Sequence, residues 1–346
     1  MRIWASAIAA LPLCACATLG YYAHLAHGEA ALLAARKPVA RVIADPATDA
    51  GLKRRLELAA QARAFASDRL GLPRNRSYTK YADLQRPYAM WNVFAAPEFS
   101  LAPYQQCFPI AGCVAYRGFY ARARAEAYAA SLRARGLEIH VGGVSAYSTL
   151  GFFADPILNT MLRFSDDELA ATIFHELAHQ QLYVKGDTEF NESFATFVQR
   201  EGLRQWRAAR GLPAQPEPEQ TRDDDFNRLV LATRERLQML YASGLSKDEM
   251  RARKQAEFER LRGDYARLRD TQWGGDHAYD AWFDGAINNA KLLPFGLYHR
   301  WVGSFAALYT NSGSDWGAFY AAARRIGRMS VAERRAALQR LQDDTH

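Results

Sequence analysis

Apolar residues recur at helical spacing through most of the chain. Leu52, Leu56, Ala59, Ala62 and Phe65 form one stripe, which Gly71-Leu72-Pro73 stops. Leu169, Ile173 and Leu177 form a second. It opens at Ser165-Asp166-Asp167-Glu168, a capping box whose acidic first turn suits the helix dipole, and Lys185-Gly186 predicts its end as a cationic last turn with a C′ glycine. After a Pro-rich break from Leu212 to Pro218, the stripe of Phe226, Leu229, Val230, Thr233, Leu237, Leu240 and Tyr241 runs up to Gly244. Met250, Phe258, Leu261, Tyr265 and Leu268 follow a second capping box at Ser246 and Glu249, so an antiparallel helical hairpin is predicted over about 224–270. Helical segments from Tyr279 to Tyr309, interrupted near Pro294, and from Asp315 to Leu341, with a capping box at Ser330 and Glu333, complete the chain.

Strand-like runs are few and lie before the second stripe. Trp91-Asn92-Val93-Phe94, Val114 to Phe119 and Leu137 to Val141 read as extended, and Tyr120 to Arg135 as a helix that Gly136 stops. A small sheet with a covering helix follows. The Gly- and hydroxyl-rich stretch Gly142 to Gly151 then leads towards the helix at Ser165; it is either an ordinary connection or an edge strand able to bind an extended peptide by strand addition. The expected fold class is α+β, predominantly helical, with a small sheet-containing N-terminal lobe and a helical C-terminal lobe.

Composition adds location rather than fold. With 346 residues, 49% hydrophobic and 23% charged, the chain buries a sizeable core. Met1-Arg2-Ile3 and the apolar run from Trp4 to Leu13 read as a signal peptide over 1–15, its apolar run too short to span a bilayer. Leu13-Cys14-Ala15-Cys16 resembles a bacterial lipobox, and Cys16, which follows a small residue, fits the lipidated position better than Cys14. Multiple acyl chains there would anchor stably where a single chain does not. Residues 16–44 are then expected as a membrane-proximal tether, helical or extended, ahead of a single two-lobed domain over 45–346. Ala17, in place of aspartate, points to the periplasmic face of the outer membrane in a bacterial cell envelope. The short separation of Cys107 from Cys113, in an exported chain, suggests a disulfide closing a loop through Pro109 and Gly112. The net charge of +7 is spread along the chain and mixed with acids, as from Lys254 to Arg269, so no nucleic-acid partner is expected.

The candidate chemistry sits in the middle of the second stripe. His175-Glu176-Leu177-Ala178-His179 is a His-Glu-x-x-His sequence, which on a helix puts two imidazoles one turn apart on one face, with the carboxylate close by. Such a pair can share Zn²⁺, leaving Glu176 to take a proton from the attacking water and deliver it to the leaving amine. Chance alone gives the pattern in roughly one chain in a hundred of this composition, so its context has to carry the reading. A catalytic zinc also needs a third protein ligand. Folding the next helix back about Asp187 places Glu189 beside Lys185, away from the histidines, and leaves both Glu192 and Glu201 within a turn of their level. Tyr147, Tyr298 and His299 are candidate oxyanion donors, and Glu98 and Asp155 are the carboxylates considered for a substrate α-amino group. His140 and His277 read as ordinary histidines.

Asn191-Glu192-Ser193-Phe194-Ala195 resembles the Asn-Glu motif of gluzincin metallopeptidases, which implies Glu192 as the third ligand. The chain departs from the thermolysin-like members in the shorter separation of His179 from Glu192, and in Thr196 where they carry an aspartate behind the site. A closer resemblance, over nearly the whole chain, is to the bacterial putative aminopeptidase lipoprotein family. It is carried, in order, by Cys16-Ala17-Thr18-Leu19-Gly20-Tyr21-Tyr22, Cys107-Phe108-Pro109-Ile110-Ala111-Gly112-Cys113, Tyr147-Ser148-Thr149-Leu150-Gly151, Phe174-His175-Glu176-Leu177-Ala178-His179, Phe190-Asn191-Glu192 and Asn289-Ala290-Lys291-Leu292. The resemblance implies a zincin-like fold with the His-Glu-x-x-His helix between the lobes. It also implies a zinc-dependent peptidase, an aminopeptidase by the family's name, acting on peptide substrates from a membrane anchor on Cys16. The competing class is a non-catalytic envelope lipoprotein whose structural or degenerate metal site serves a binding module; Glu176 argues against it, since a structural zinc needs no general base.

Overall fold

The computed structural model describes residues 5–108, 112–146, 148–213 and 218–343, without the side chains of residues 5–17, 218–220, 297 and 298. The chain starts with α1 (Ala5–Ala34), β1 (Lys37–Pro38), α2 (Val39–Ala44) and α3 (Ala50–Asp68). There follow β2 (Lys80–Ala82), β3 (Met90–Ala96), β4 (Gln106–Phe108), β5 (Gly112–Val114), β6 (Tyr116–Phe119), α4 (Arg122–Arg133) and β7 (Glu138–Val144). A short β8 (Ile157–Leu158) leads to α5 (Asp166–Gln181) and α6 (Thr188–Ala209). The rest is helical: α7 (Pro218–Tyr241), α8 (Lys247–Thr271), α9 (Asp280–Phe283), α10 (Asn289–His299), α11 (Val302–Asn311), α12 (Trp316–Gly327) and α13 (Val331–Asp343). The class is α+β, mostly helical with small sheets.

β3 is the middle strand of an antiparallel sheet of order β6-β3-β7, with Trp91 opposite Phe119 and Val93 opposite Val141. Alternation along β3 divides its side chains between two faces. Val93 and Ala95 join Phe119, Ile139 and the α4 residues Ala125, Ala129 and Leu132 in one core, so α4 is the covering helix. Phe94 and Ala96 pack with Ala290 and Leu293 of α10, while Met90 and Asn92 on that same side line an open cleft. β7 is an edge strand, and its continuation through Val144, Ala146, Ser148 and Leu150 runs along the cleft. Beside it, Cys107 and Cys113 face each other across β4 and β5 and are disulfide-bonded.

α1 is docked on this sheet. Tyr21 is buried, its hydroxyl donates to the Gly118 carbonyl at 3.1 Å, and the Arg117 guanidinium lies 3.7 Å from its ring centre. The backbone N–H of Tyr120 donates to His24 Nε2 at 3.1 Å. Gly28 permits this approach, because a Cβ there would fall 2.2 Å from the Tyr120 ring. Cys16 lies within α1, with its side chain outside the description, and among the described residues no helix is long and apolar enough to cross a membrane.

α5 runs through the largest core, with Leu169, Ala170, Ile173, Phe174, Leu177 and Ala178 all buried. Its start is fixed as its sequence predicts, by the reciprocal capping box of Ser165 and Glu168. Its end is not. The helix stops at Gln181, ahead of Gly186, because Asn191 holds Val184 out of it: Asn191 Oδ1 accepts from the Val184 N–H at 2.7 Å and Nδ2 donates to the Val184 carbonyl at 2.8 Å. Gly186, at φ +81°, turns the chain into α6, which starts on an Asp187 cap accepting from Phe190 N at 3.1 Å. α6 then lies close against α5, since a Cβ on Gly202 would come 3.0 Å from the Phe174 ring.

The predicted hairpin is α7 and α8, with its own core of Phe226, Val230, Leu237, Phe258, Leu261 and Tyr265 and the capping box at Ser246 and Glu249. Fully buried Asn289 ties it to the sheet. Its Nδ2 donates to the carbonyls of Pro97, Glu98 and Ser100, and its Oδ1 accepts from the Tyr241 hydroxyl at 2.7 Å.

Candidate metal centre

With α5 ending at Gln181 and α6 beginning at Thr188, the two helices mirror each other about the middle of that turn. Glu192 then falls level with Leu177, between His175 and His179, whereas Glu201 falls level with Glu168, two turns away. Once the turn is known, helix geometry therefore puts Glu192, and not Glu201, beside the histidines. Glu192 Oε2 lies 3.4 Å from His175 Nε2 and 3.5 Å from His179 Nε2, and the three ligand atoms are all within 4.8 Å of one another. All three residues are buried. Glu201 instead accepts from Arg204 Nη2 at 2.6 Å and Gln205 Nε2 at 2.8 Å, and Glu189 lies near Arg300 and Arg335.

The hydrogen bonds around the triad leave room for a cation. His175 Nδ1 lies 2.9 Å from Gln199 Oε1, an oxygen that only accepts, so this nitrogen carries the proton and Nε2 presents a lone pair to Glu192. Glu192 Oε2 is buried with no hydrogen-bond partner. Two acceptors facing each other across 3.4 Å require a proton or a metal between them, and two imidazoles with one carboxylate suit a borderline divalent ion.

The carboxyl groups of Glu192 and Glu176 are driven in opposite directions from their ordinary 4.5. Burial opposes the charge on Glu192, but positive charge on the facing His179 and His175 imidazoles, once either is protonated, outweighs it and draws the group below its ordinary value. Burial pushes Glu176 up to about 7, with Glu192 and Asp155 adding to the rise against the opposing pull of His175. The two neighbouring carboxyl groups are thus pushed apart, Glu192 towards the ionised form and Glu176 towards the protonated one. All four residues line one cleft of roughly 460 Å³, facing Asn92 and Tyr116 of the sheet.

A family model described as "Putative aminopeptidase" matches residues 20–338. The chain belongs to that family. No curated protein and no solved structure matches it. In this aminopeptidase-family chain the motif residues divide into two groups by what they touch. His175, Glu176, His179 and Glu192 line the cleft, while Asn191 shapes the α5–α6 turn and Asn289 locks the hairpin to the sheet.

The other candidates fall elsewhere. Tyr147 lies outside the described residues, and Tyr298 sits in α10 with its side chain undescribed. His299 lines a neighbouring cavity of roughly 280 Å³ with Gln199 and Arg200, where burial first, and then Arg200 and His175, lower it to about 4 and keep it neutral. Glu98 is paired with Arg251 at 2.6 Å, and buried Asp155 accepts from Thr149 Oγ1 at 2.6 Å and Gln180 Nε2 at 3.1 Å, so neither carboxylate faces the cleft. Burial raises Asp155 to about 6 against these hydrogen bonds. His140 stacks on Phe94, and His277 pairs with Asp280.

Gln199, Asn92, Tyr116 and Tyr183 are further residues at the site that no sequence motif marks. Gln199 left a usable signal, since it follows Glu192 by two helical turns and so shares its face. Removing it as Gln199→Ala frees the His175 ring to rotate and change tautomer. The expected result is a loss of roughly 10- to 100-fold in divalent-metal affinity, read by competition with a chromogenic chelator. Unchanged affinity would show that the Gln199 bond does not orient the ring.

Proposed function

We propose that this protein is a zinc-dependent metallopeptidase of zincin-like plan, working as an aminopeptidase on peptide substrates. The observation that carries the reading is the convergence of His175 and His179 on the unpartnered carboxylate oxygen of Glu192, with Glu176 in the same cleft. Zinc held there would supply Lewis acidity to the scissile carbonyl and to the attacking water. Glu176 takes the water's proton and hands it to the leaving amine, a double role open to a buried carboxylate in the same cleft. The β7 edge, whose last residue Val144 lines the cleft, gives an extended peptide a strand to pair with. Tyr147 and Tyr298 are our proposed oxyanion donors.

The setting we propose is the periplasmic face of a bacterial outer membrane, with a lipid on Cys16 as the anchor. The lipobox-like Leu13 to Cys16 sequence supports it. The detergent-solubilised full chain should hold about one zinc by metal analysis and release amino-terminal residues from unblocked peptides. Chelator dialysis should stop the reaction and zinc should restore it. Activity in zinc-free protein would overturn the metal, and cleavage confined to N-blocked peptides would overturn the exopeptidase.

A further inference from the structure

The side chain of the residue that supplies the scissile carbonyl starts one carbon away from that carbonyl. With the carbonyl at His175, His179 and Glu192, this side chain enters the cavity that those residues line. The walls it meets are Tyr21, Tyr22 and Leu25 of α1, Phe108 and Val114 of the disulfide-closed hairpin, and Leu150. Among the described lining residues there is no Lys, Arg or Asp, and the only carboxylates are Glu176 and Glu192, both committed to the chemistry. A charged side chain reaching the α1 and hairpin walls, away from those two carboxylates, would lose its hydration and find no partner.

We infer that the cleft selects peptides whose amino-terminal residue is large and apolar, and that α1 is the wall that sets this preference. The inference rests on the peptidase reading and names its substrate class. The wall is held firmly, with Tyr21 fixed by Arg117 and the Gly118 carbonyl and Leu25 packed against two cores. Tyr22, 37% exposed, stands at the mouth, where a substitution is tolerated most easily.

The test measures kcat/KM on the solubilised full chain with unblocked tetrapeptides that differ only in a first residue of Leu, Phe, Ala, Lys or Glu. Leu and Phe should exceed Lys and Glu by about tenfold or more, in line with what one apolar pocket can discriminate. Tyr22→Glu should shift the ratio of Lys to Leu upward by about tenfold with zinc content unchanged. Leu25→Ala, which adds no charge, should lower turnover of Leu and Phe relative to Ala and serves if the first variant does not fold. Hydrolysis with a flat profile, a wild-type preference for Lys or Glu, or zinc-loaded variants with the wild-type profile would overturn the inference while leaving the peptidase standing. Failure to cleave any peptide would remove the peptidase reading and the inference with it.

Discussion

Exchanging Glu176 for glutamine should leave about one zinc per chain and lower kcat by roughly 10²- to 10⁴-fold, the range that a positioned general base contributes. Glutamine keeps the shape and the neutral hydrogen-bonding capacity of the side chain but cannot accept a proton. Glu176 is buried on the motif helix, yet the cluster of metal-binding atoms is complete without it. Its environment suits it to the general base's role. Burial raises the carboxyl above its ordinary range and a bound cation would draw it back, so the group is held where it can both take and return a proton. KM should change little, because the interaction lost belongs to the transition state. Metal analysis beside single-turnover rates reads both halves. Full zinc with activity within a few-fold of wild type would remove Glu176 from the chemistry, whereas loss of zinc would show that the residue maintains the site.

The features legible in the sequence are those written over a few consecutive turns. The capping boxes at Ser165, Ser246 and Ser330 and the strand at Trp91 to Phe94 are local patterns, and each is where the sequence puts it, whereas the motif, expected in mid-helix, falls in the last turns of α5 because the helix stops early. The α5 terminus departs from its local pattern because a residue of the next helix sets it. Asn191 satisfies both polar groups of Val184, and no propensity of Lys185-Gly186 reveals that. The same holds for α1, whose apolar residues read as part of a tether until Tyr21 and Leu25 are seen against the sheet and the cleft. Asn289 is a further case: four partners distant in sequence make it a structural junction, although its motif stands beside catalytic ones in the resemblance.

The choice of third ligand turns on the same distant contact, and it gives the second large effect. Glu192→Gln should weaken zinc binding by about 100-fold or more, beyond the usual cost of disturbing a residue that merely orients a ligand, while Glu201→Gln should leave it unchanged. Both residues lie on α6, and before the turn is placed both stand within reach of the histidines. Once Asn191 ends α5 early, only Glu192 is level with them, and its Oε2 is buried with no hydrogen-bond donor to satisfy it. An amide there is neutral, and its NH₂ could point at the imidazole lone pairs in place of the oxygen, so charge and coordination are lost together. Glu201 meets Arg204 and Gln205 at the other end of the helix, where loss of its charge reaches no metal-binding atom. Competition against a chelator of known affinity separates the two variants directly. Equal binding by both would place the third ligand elsewhere in the chain, and a larger loss in Glu201→Gln would reverse the assignment.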